Sequence, residues 1–445
     1  MEYYENIKYK EIEKDVFLVD TGEGKYILDN VTASIARLNN LVDFENDNHI
    51  KGLLANLDPN REKKRVFRPV EYISNKKLCR LMIYLTLGCN MRCIYCHCDS
   101  TVGENMTDDN MYLAINKYVE HMKKRIDSIR EFEETPQITF MGGGEPFLRI
   151  NKIKEVVEYF DGECEKLCLK PRYVLVTNTS LGKDEDWKWL VEKGFWLNLS
   201  IDGNPEIQNR NRPLANNIES AEIIENRLRY LSEIGAECHV RSTVIDANEV
   251  TTICNYFRQF SCVKTHALEP VSLAGRAIKS NLMISKEEFY RLFFRNYSVF
   301  LLKEPDRFKS SWFRPFKRTE GFCGAVYCNS IVLPNGDISL CSEVPSDEQN
   351  EQIKDKFIVS SIFDDDCFES EKAVNFSKEN SIDSLSFCIH CPIKYKCGGG
   401  CYIKKVRDFK TEPELFYREF CSSAIDLNIS FLVGCLEETK QDDFS

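Results

Sequence analysis

Eleven of the chain's twenty cysteines fall into short, regularly spaced groups, and no other feature constrains the fold and chemistry as tightly. The first group is Cys89-x3-Cys93-x2-Cys96. The second is Cys323-x4-Cys328-x12-Cys341, with Gly336 in a Pro-Asn-Gly-Asp turn before its last member. The third is Cys388-x2-Cys391-x5-Cys397-x3-Cys401, with Cys421 after nineteen more residues. In a chain of 445 residues such grouping points to metal-bound or catalytic thiolates rather than a disulfide framework. The remaining nine (Cys79, Cys98, Cys164, Cys168, Cys238, Cys254, Cys262, Cys367 and Cys435) read as small apolar core residues.

Three thiolates in a Cys-x3-Cys-x2-Cys loop bind three irons of a 4Fe–4S cluster and leave the fourth open to a small ligand. A closed zinc site would need a fourth donor, for which His97 or Cys98 is available, but the spacing departs from the usual zinc pairs.

The surrounding sequence alternates apolar or β-branched runs with helical stretches. Leu81–Leu87, Gln137–Met141, Arg172–Thr177, Phe195–Ile201, Glu237–Val244 and Thr265–Pro270 read as strands. Helices are expected between them, for example over 108–130, 151–163 and 216–234. Six β/α repeats imply an α/β fold, a parallel sheet closed or partly closed into a barrel, with chemistry at the carboxyl ends of its strands.

The loop with Tyr95 before its last cysteine resembles the cluster motif of the radical S-adenosylmethionine superfamily. Further likenesses follow the strands. Gly142-Gly143-Gly144-Glu145-Pro146 follows strand two, and Leu199-Ser200-Ile201-Asp202-Gly203 follows strand four, with Arg212 twelve residues past the serine. The resemblance implies a partial (β/α)6 TIM-like barrel. It also implies Cys89, Cys93 and Cys96 as cluster ligands, and an S-adenosylmethionine site. That site would use Tyr95, Gly143, Gly144, Glu145, Ser200 and Arg212, with Leu268 near the adenine and Asn178 as a further contact. A guanidinium suits the cofactor's carboxylate through its planar donor fork.

The eight later cysteines are similar to the SPASM extension of peptide-modifying members of that superfamily. By this resemblance Cys323, Cys328, Cys341 and Cys401 hold one auxiliary 4Fe–4S cluster, and Cys388, Cys391, Cys397 and Cys421 another, three clusters in all. A pair of structural zinc ribbons is the rival. Sulfatase maturases of the group carry an aspartate directly after the third cysteine of the first auxiliary set, as a base. Here Ser342 stands there, a departure that weighs against that activity, with the following Glu343 a candidate to substitute as the base.

At the amino end, Val16–Val19 and Lys25–Leu28 read as a hairpin. Asn30 is positioned to cap a helix with the stripe Val31, Ile35, Leu38 and Val42, and Ile50, Leu53, Leu54 and Leu57 form a second stripe. This pattern resembles the winged-helix-like element that binds leader peptides by strand addition. Residues 61–80 carry eight Lys/Arg against two Glu and read as a linker. The expected division is 1–75 leader recognition, 76–305 barrel, 306–424 SPASM domain and 425–445 an acidic, fraying tail. The basic, aromatic stretch 303–320 reads as a solvated connector.

These features imply an oxidoreductase that crosslinks a ribosomal precursor peptide, with a thioether ahead of a carbon–carbon bond. The rivals are formylglycine formation and a zinc-holding peptide adaptor without catalysis. Its partners would be a leader-bearing precursor and a one-electron reductant of the flavodoxin or ferredoxin type. The excess of 70 acidic over 59 basic residues, net −11, argues against nucleic acid. The sequence contains no apolar run of membrane-spanning length and no signal-peptide pattern at its start, so a cytoplasmic location with no membrane partner is expected.

Overall fold

The computed structural model describes residues 2–30, 34–38, 47–55, 80–99, 103–131, 133–272, 274–280, 282, 286–314, 319, 321–327, 329–344, 351–408 and 420–442. Cys79, Cys328, Phe316–Arg318 and most of the expected linker lie outside them.

Six parallel strands run in sequence order across the main sheet: β5 (Arg80–Tyr84), β6 (Gln137–Met141), β7 (Arg172–Thr177), β8 (Trp196–Ser200), β9 (Cys238–Val244) and β10 (Val263–Pro270). Helices connect them, as the alternation predicted. The helix Asp108–Lys124 shows why. Thr107 caps it by accepting the Asn110 N–H, and Asp108 and Asp109 sit in its first turn. Met111, Ala114, Ile115, Tyr118, Val119 and Met122 make the buried stripe.

The barrel is partial because β5 and β10 do not pair with each other. At the β10 edge lies β11 (Phe308–Lys309), parallel, with His266 opposite Phe308. At the β5 edge lies β12 (Ser330–Val332), also parallel, followed by the antiparallel β13 (Asp337–Ser339) and β14 (Ile358–Ser361). Cys323 and Cys341 of the second cysteine group thus flank an extension of the barrel sheet. The stretch 303–320 is correspondingly not a solvated connector: Phe308, Trp312 and Phe313 are buried. Its aromatic residues outweigh its charges because pairing with β10 turns them into the helical layer.

The amino-terminal residues form an antiparallel four-stranded sheet: β1 (Lys8–Glu13), β2 (Val16–Asp20), β3 (Lys25–Asp29) and β4 (Ser34–Arg37). The hairpin is as expected, but the helix after Asn30 is not formed over the described part of that segment. Ile35 instead sits opposite Leu28 in the β3–β4 ladder. Ladder hydrogen bonds and a cross-strand apolar pair outweigh a weak helical stripe. The second stripe does form a helix, Asp47–Ala55.

The carboxyl end is also ordered. Residues Ser422–Asp442 form a helix in which Leu427, Ile429, Phe431 and Val433 are buried together with the polar Asp426, Asn428 and Ser430. It docks the amino-terminal sheet: Asp426 accepts the N–H groups of Asn6 (2.8 Å) and Ile7 (3.0 Å), and Ser430 Oγ accepts that of Tyr4 (2.8 Å). Among the described residues no helix is long and apolar enough to cross a membrane.

Candidate active site

The three-cysteine loop follows β5 and is fastened from three directions. Along one side it runs beside the segment after β8. The Arg92 N–H donates to the Pro213 carbonyl (2.7 Å), Ile94 N–H to the Asn211 carbonyl (2.9 Å) and Ala215 N–H to the Asn90 carbonyl (2.9 Å). This docking carries Arg212 to the thiols. From below, the loop after β6 packs directly on it, the Glu145 N–H donating to the Gly88 carbonyl at 2.8 Å. A Cβ at Gly144 would lie 1.9 Å from that same carbonyl, so this glycine is required by loop-on-loop contact rather than by approach to a ligand. From the third side, Gly275 takes φ 54°, and the Arg276 N–H donates to the Cys96 carbonyl (2.9 Å). Arg276 Nη1 donates to the Cys93 carbonyl (2.9 Å) while its Nε pairs with Asp99 (2.9 Å).

Within this frame Cys93 is buried and Cys89 and Cys96 are half-buried. Burial pushes the Cys89 thiol up to about 11 and the Cys93 thiol up to about 12. Isolated thiolates are therefore disfavoured there, and a cation that ligates them must displace their protons. Hydrogen-bond donors are already aimed at the sulfurs: Arg212 Nη1 lies 3.9 Å from Cys93 Sγ, Asn178 Nδ2 3.9 Å from Cys89 Sγ, and Met91 N 3.4 Å from the latter. Such a donor set fits an anionic thiolate-ligated cluster.

Asp202, at the end of β8, is fully buried and organises the expected cofactor residues. It accepts from the Tyr95 hydroxyl (2.6 Å), Arg212 Nε (2.9 Å), Asn211 Nδ2 (3.2 Å) and the Thr243 N–H (3.1 Å). The Arg212 guanidinium lies over the Tyr95 ring, 5.3 Å from its centroid. Ser200 is half-buried at the end of β8, beside this group.

Glu145 is also fully buried, with its carboxylate accepting from Thr177 Oγ1 (2.6 Å) and the N–H groups of Asn178 (2.7 Å) and Phe147 (3.0 Å). Burial pushes its carboxyl up to about 7, against the pull of these donors. Its visible work is to tie the ends of β6 and β7 together.

Leu268 departs from expectation. It is fully buried and shares the strand face of His266, whose ring packs on Phe257 and Phe308 in the outer layer. Its side chain therefore points away from the barrel interior. On the opposite face Glu269 pairs with Arg241 (3.3 Å) and accepts from the Ser311 N–H (2.8 Å).

Of the auxiliary thiols, Cys388, Cys391, Cys397 and Cys421 line one cavity of about 390 Å³, together with Ile7, Tyr9, Trp312 and Lys394. Cys323, Cys341 and Cys401 are electrostatic neighbours of one another, with Glu343 beside them. Glu343 is set near the end of β5, where the Tyr84 hydroxyl donates to the Ser342 carbonyl (2.9 Å). Among the described residues no three His, Cys, Asp or Glu side chains converge on a single-ion position.

Sequence reasoning missed Asp202, Asp99 and the Gly275–Arg276 clamp. The aspartate at least was visible within the Leu-Ser-Ile-Asp-Gly segment; the clamp had no local pattern.

A parallel partial barrel thus carries three thiols after its first strand, beside an arginine anchored by Asp202. Residues 83–251 match the Radical SAM superfamily model. The chain is 27% identical over 360 residues to the cysteine-type anaerobic sulfatase-maturating enzyme of Clostridium perfringens (strain 13 / Type A), spanning 76% of this chain and 91% of the relative. In fold it is similar to the solved structure of native anSMEcpe with bound AdoMet and Cp18Cys peptide. That likeness has TM-score 0.61 at 20% identity and covers 82% of this chain and 99% of that one. Streptococcus suis SuiB bound to precursor peptide SuiA is also similar, with TM-score 0.52 at 15% identity, covering 93% of this chain and 97% of that one.

Proposed function

We propose that this enzyme is a SPASM-type maturase that oxidatively crosslinks a ribosomal precursor peptide, forming a thioether ahead of a carbon–carbon bond. The observation that carries the reading is the outer four thiols lining one cavity, with Cys323, Cys341 and Cys401 gathered as a second group. In this reading Cys323, Cys328, Cys341 and Cys401 hold the nearer auxiliary cluster, and the outer four hold the second. The C. perfringens relative is named for maturing sulfatases and SuiB is bound to a precursor peptide, which supports a polypeptide substrate. Ser342, where sulfatase maturases carry an aspartate, supports crosslinking over formylglycine formation. The antiparallel amino-terminal sheet offers strand edges for a leader peptide, and over the described residues after Asn30 it continues as a strand and not as the expected helix.

Cys89, Cys93 and Cys96 would hold the cluster, and with S-adenosylmethionine it would supply one-electron hydrogen-atom abstraction, using an electron from an external flavodoxin- or ferredoxin-type carrier. The chain does the rest. Arg212, held by Asp202, offers its guanidinium to the cofactor's carboxylate, with Ser200 alongside and the Gly143–Gly144–Glu145 loop beneath. Asn178 and Arg212 steady the ligating sulfurs. Thioether formation removes a hydrogen atom from carbon, a proton from the peptide thiol and one electron, and makes one S–C bond. Glu343 would accept the proton, and clusters held by the auxiliary thiols would accept the electron and return it to the external carrier.

The test is mass spectrometry of a leader-bearing, cysteine-containing precursor after co-expression with the enzyme. Loss of two hydrogens with one cysteine no longer alkylatable is expected. A product carrying an aldehyde instead would replace crosslinking by formylglycine formation.

A further inference from the structure

Lys405, in the helix Tyr402–Asp408, carries an ammonium that is buried and has no hydrogen-bond partner among the described residues. It rests between two rings, 4.6 Å from the centroid of Phe387 and 4.9 Å from that of Tyr402. Phe387 immediately precedes Cys388 and Tyr402 immediately follows Cys401, so the cation is wedged between the outer and inner thiol sets. Its electrostatic neighbours are Cys388, Cys397 and Cys421 on one side and Cys401 and Cys323 on the other. The other cations near these thiols have partners of their own. Lys394 forms a buried pair with Asp15, and Arg314 donates to the Gly321 and Phe322 carbonyls.

A buried ammonium without a hydrogen-bond partner among the described residues is costly, and two ring faces return only part of that cost. What balances it must be anionic and must lie where the thiols are. A 4Fe–4S core ligated by four thiolates has net negative charge in both of its usual oxidation states.

We propose that Lys405 is the shared counter-charge of the two auxiliary cluster sites and holds the reduction potentials of both upward. The inference rests on the two-site reading given above. A fixed positive charge favours the more negative, reduced form of each cluster, and one charge placed between two clusters acts on both.

The test is a redox titration, followed by electron paramagnetic resonance, of the anaerobically purified full-length protein, its Lys405→Met and its Lys405→Arg variants. Methionine keeps the unbranched packing on the rings and removes the charge; arginine keeps the charge. The expected result for Lys405→Met is about a tenfold loss in the reduction equilibrium of each auxiliary cluster, ~59 mV for a one-electron couple. The barrel cluster stays at its wild-type potential and Lys405→Arg restores the auxiliary ones. Loss of auxiliary iron from Lys405→Met but not from Lys405→Arg also supports the proposal. Full iron with unmoved auxiliary potentials overturns it, as does equal loss of iron from both variants, since shape rather than charge would then matter. A wild-type protein with about four irons instead of about twelve overturns the two-site reading itself, and is seen before any variant is compared.

Discussion

Asp202 is the residue on which the cofactor side of the site turns. Its two oxygens receive four donors, from Tyr95, Asn211, Arg212 and Thr243, and it is fully buried. Asp202→Asn replaces one acceptor oxygen by a donor and must turn an N–H against Tyr95 or Arg212. Iron content should be retained, because Arg276 and the Pro213 and Asn211 carbonyls still hold the cysteine loop. S-adenosylmethionine affinity, measured by equilibrium dialysis, should fall about tenfold or more, as for loss of one charge-assisted hydrogen bond. Unchanged affinity would remove the Asp202–Arg212 pair from cofactor binding. At this scale the cysteines, Tyr95 and Arg212 were legible because their chemistry is rare and their spacing short. Leu268 was misjudged because a short apolar run does not reveal which alternate residues face the barrel interior. The β9–β10 register, which fixes that choice, is a property of two strands.

The amino-terminal sheet is an element whose role the sequence only half disclosed. Ile7 and Tyr9 wall the outer thiol cavity, Asn30 Nδ2 donates to the Cys391 carbonyl at 3.2 Å, and Glu11 pairs with His390. The pair Asp15–Lys394, 2.5 Å, joins the β1–β2 turn to the loop between Cys391 and Cys397, with side chains 1% and 3% exposed. Lys394→Met leaves that carboxylate buried without its cation, a loss of about 3–5 kcal/mol. The sheet should then become the first part of the molecule cleaved by limited proteolysis, and iron at the outer site should be lost faster in air. A variant as resistant as wild type would show that the pair does not hold the sheet in place. The hairpin was readable from its turn and its apolar runs. The strand Ser34–Arg37 was not, since a four-residue edge strand gains its hydrogen bonds from β3 and not from its own sequence.

Over the whole molecule, two kinds of thiol site should be separable by function. Cys93→Ala should abolish formation of 5′-deoxyadenosine, while Cys401→Ala should retain part of it and lose peptide product, both measured by chromatography of the same anaerobic reactions. Normal peptide product from both variants would dismiss the assignment of clusters to these cysteines. The division between barrel and carboxy-terminal region is less sharp than the sequence suggested, because β11 and β12 extend the barrel sheet at opposite edges. The last helix, expected to fray, is held by the buried residues Leu427–Val433; the acidic residues that suggested fraying lie at its far end.

By itself the sequence determined the class of chemistry and the order of the barrel. Thiolate spacing and β/α alternation are local patterns, and metal ligation and strand formation read them locally. Only the tertiary structure decided which carboxylates and cations serve those thiols. Asp202, Arg276, Lys394 and Lys405 gain their meaning from partners that the fold, through buried contact between distant segments, brings to them.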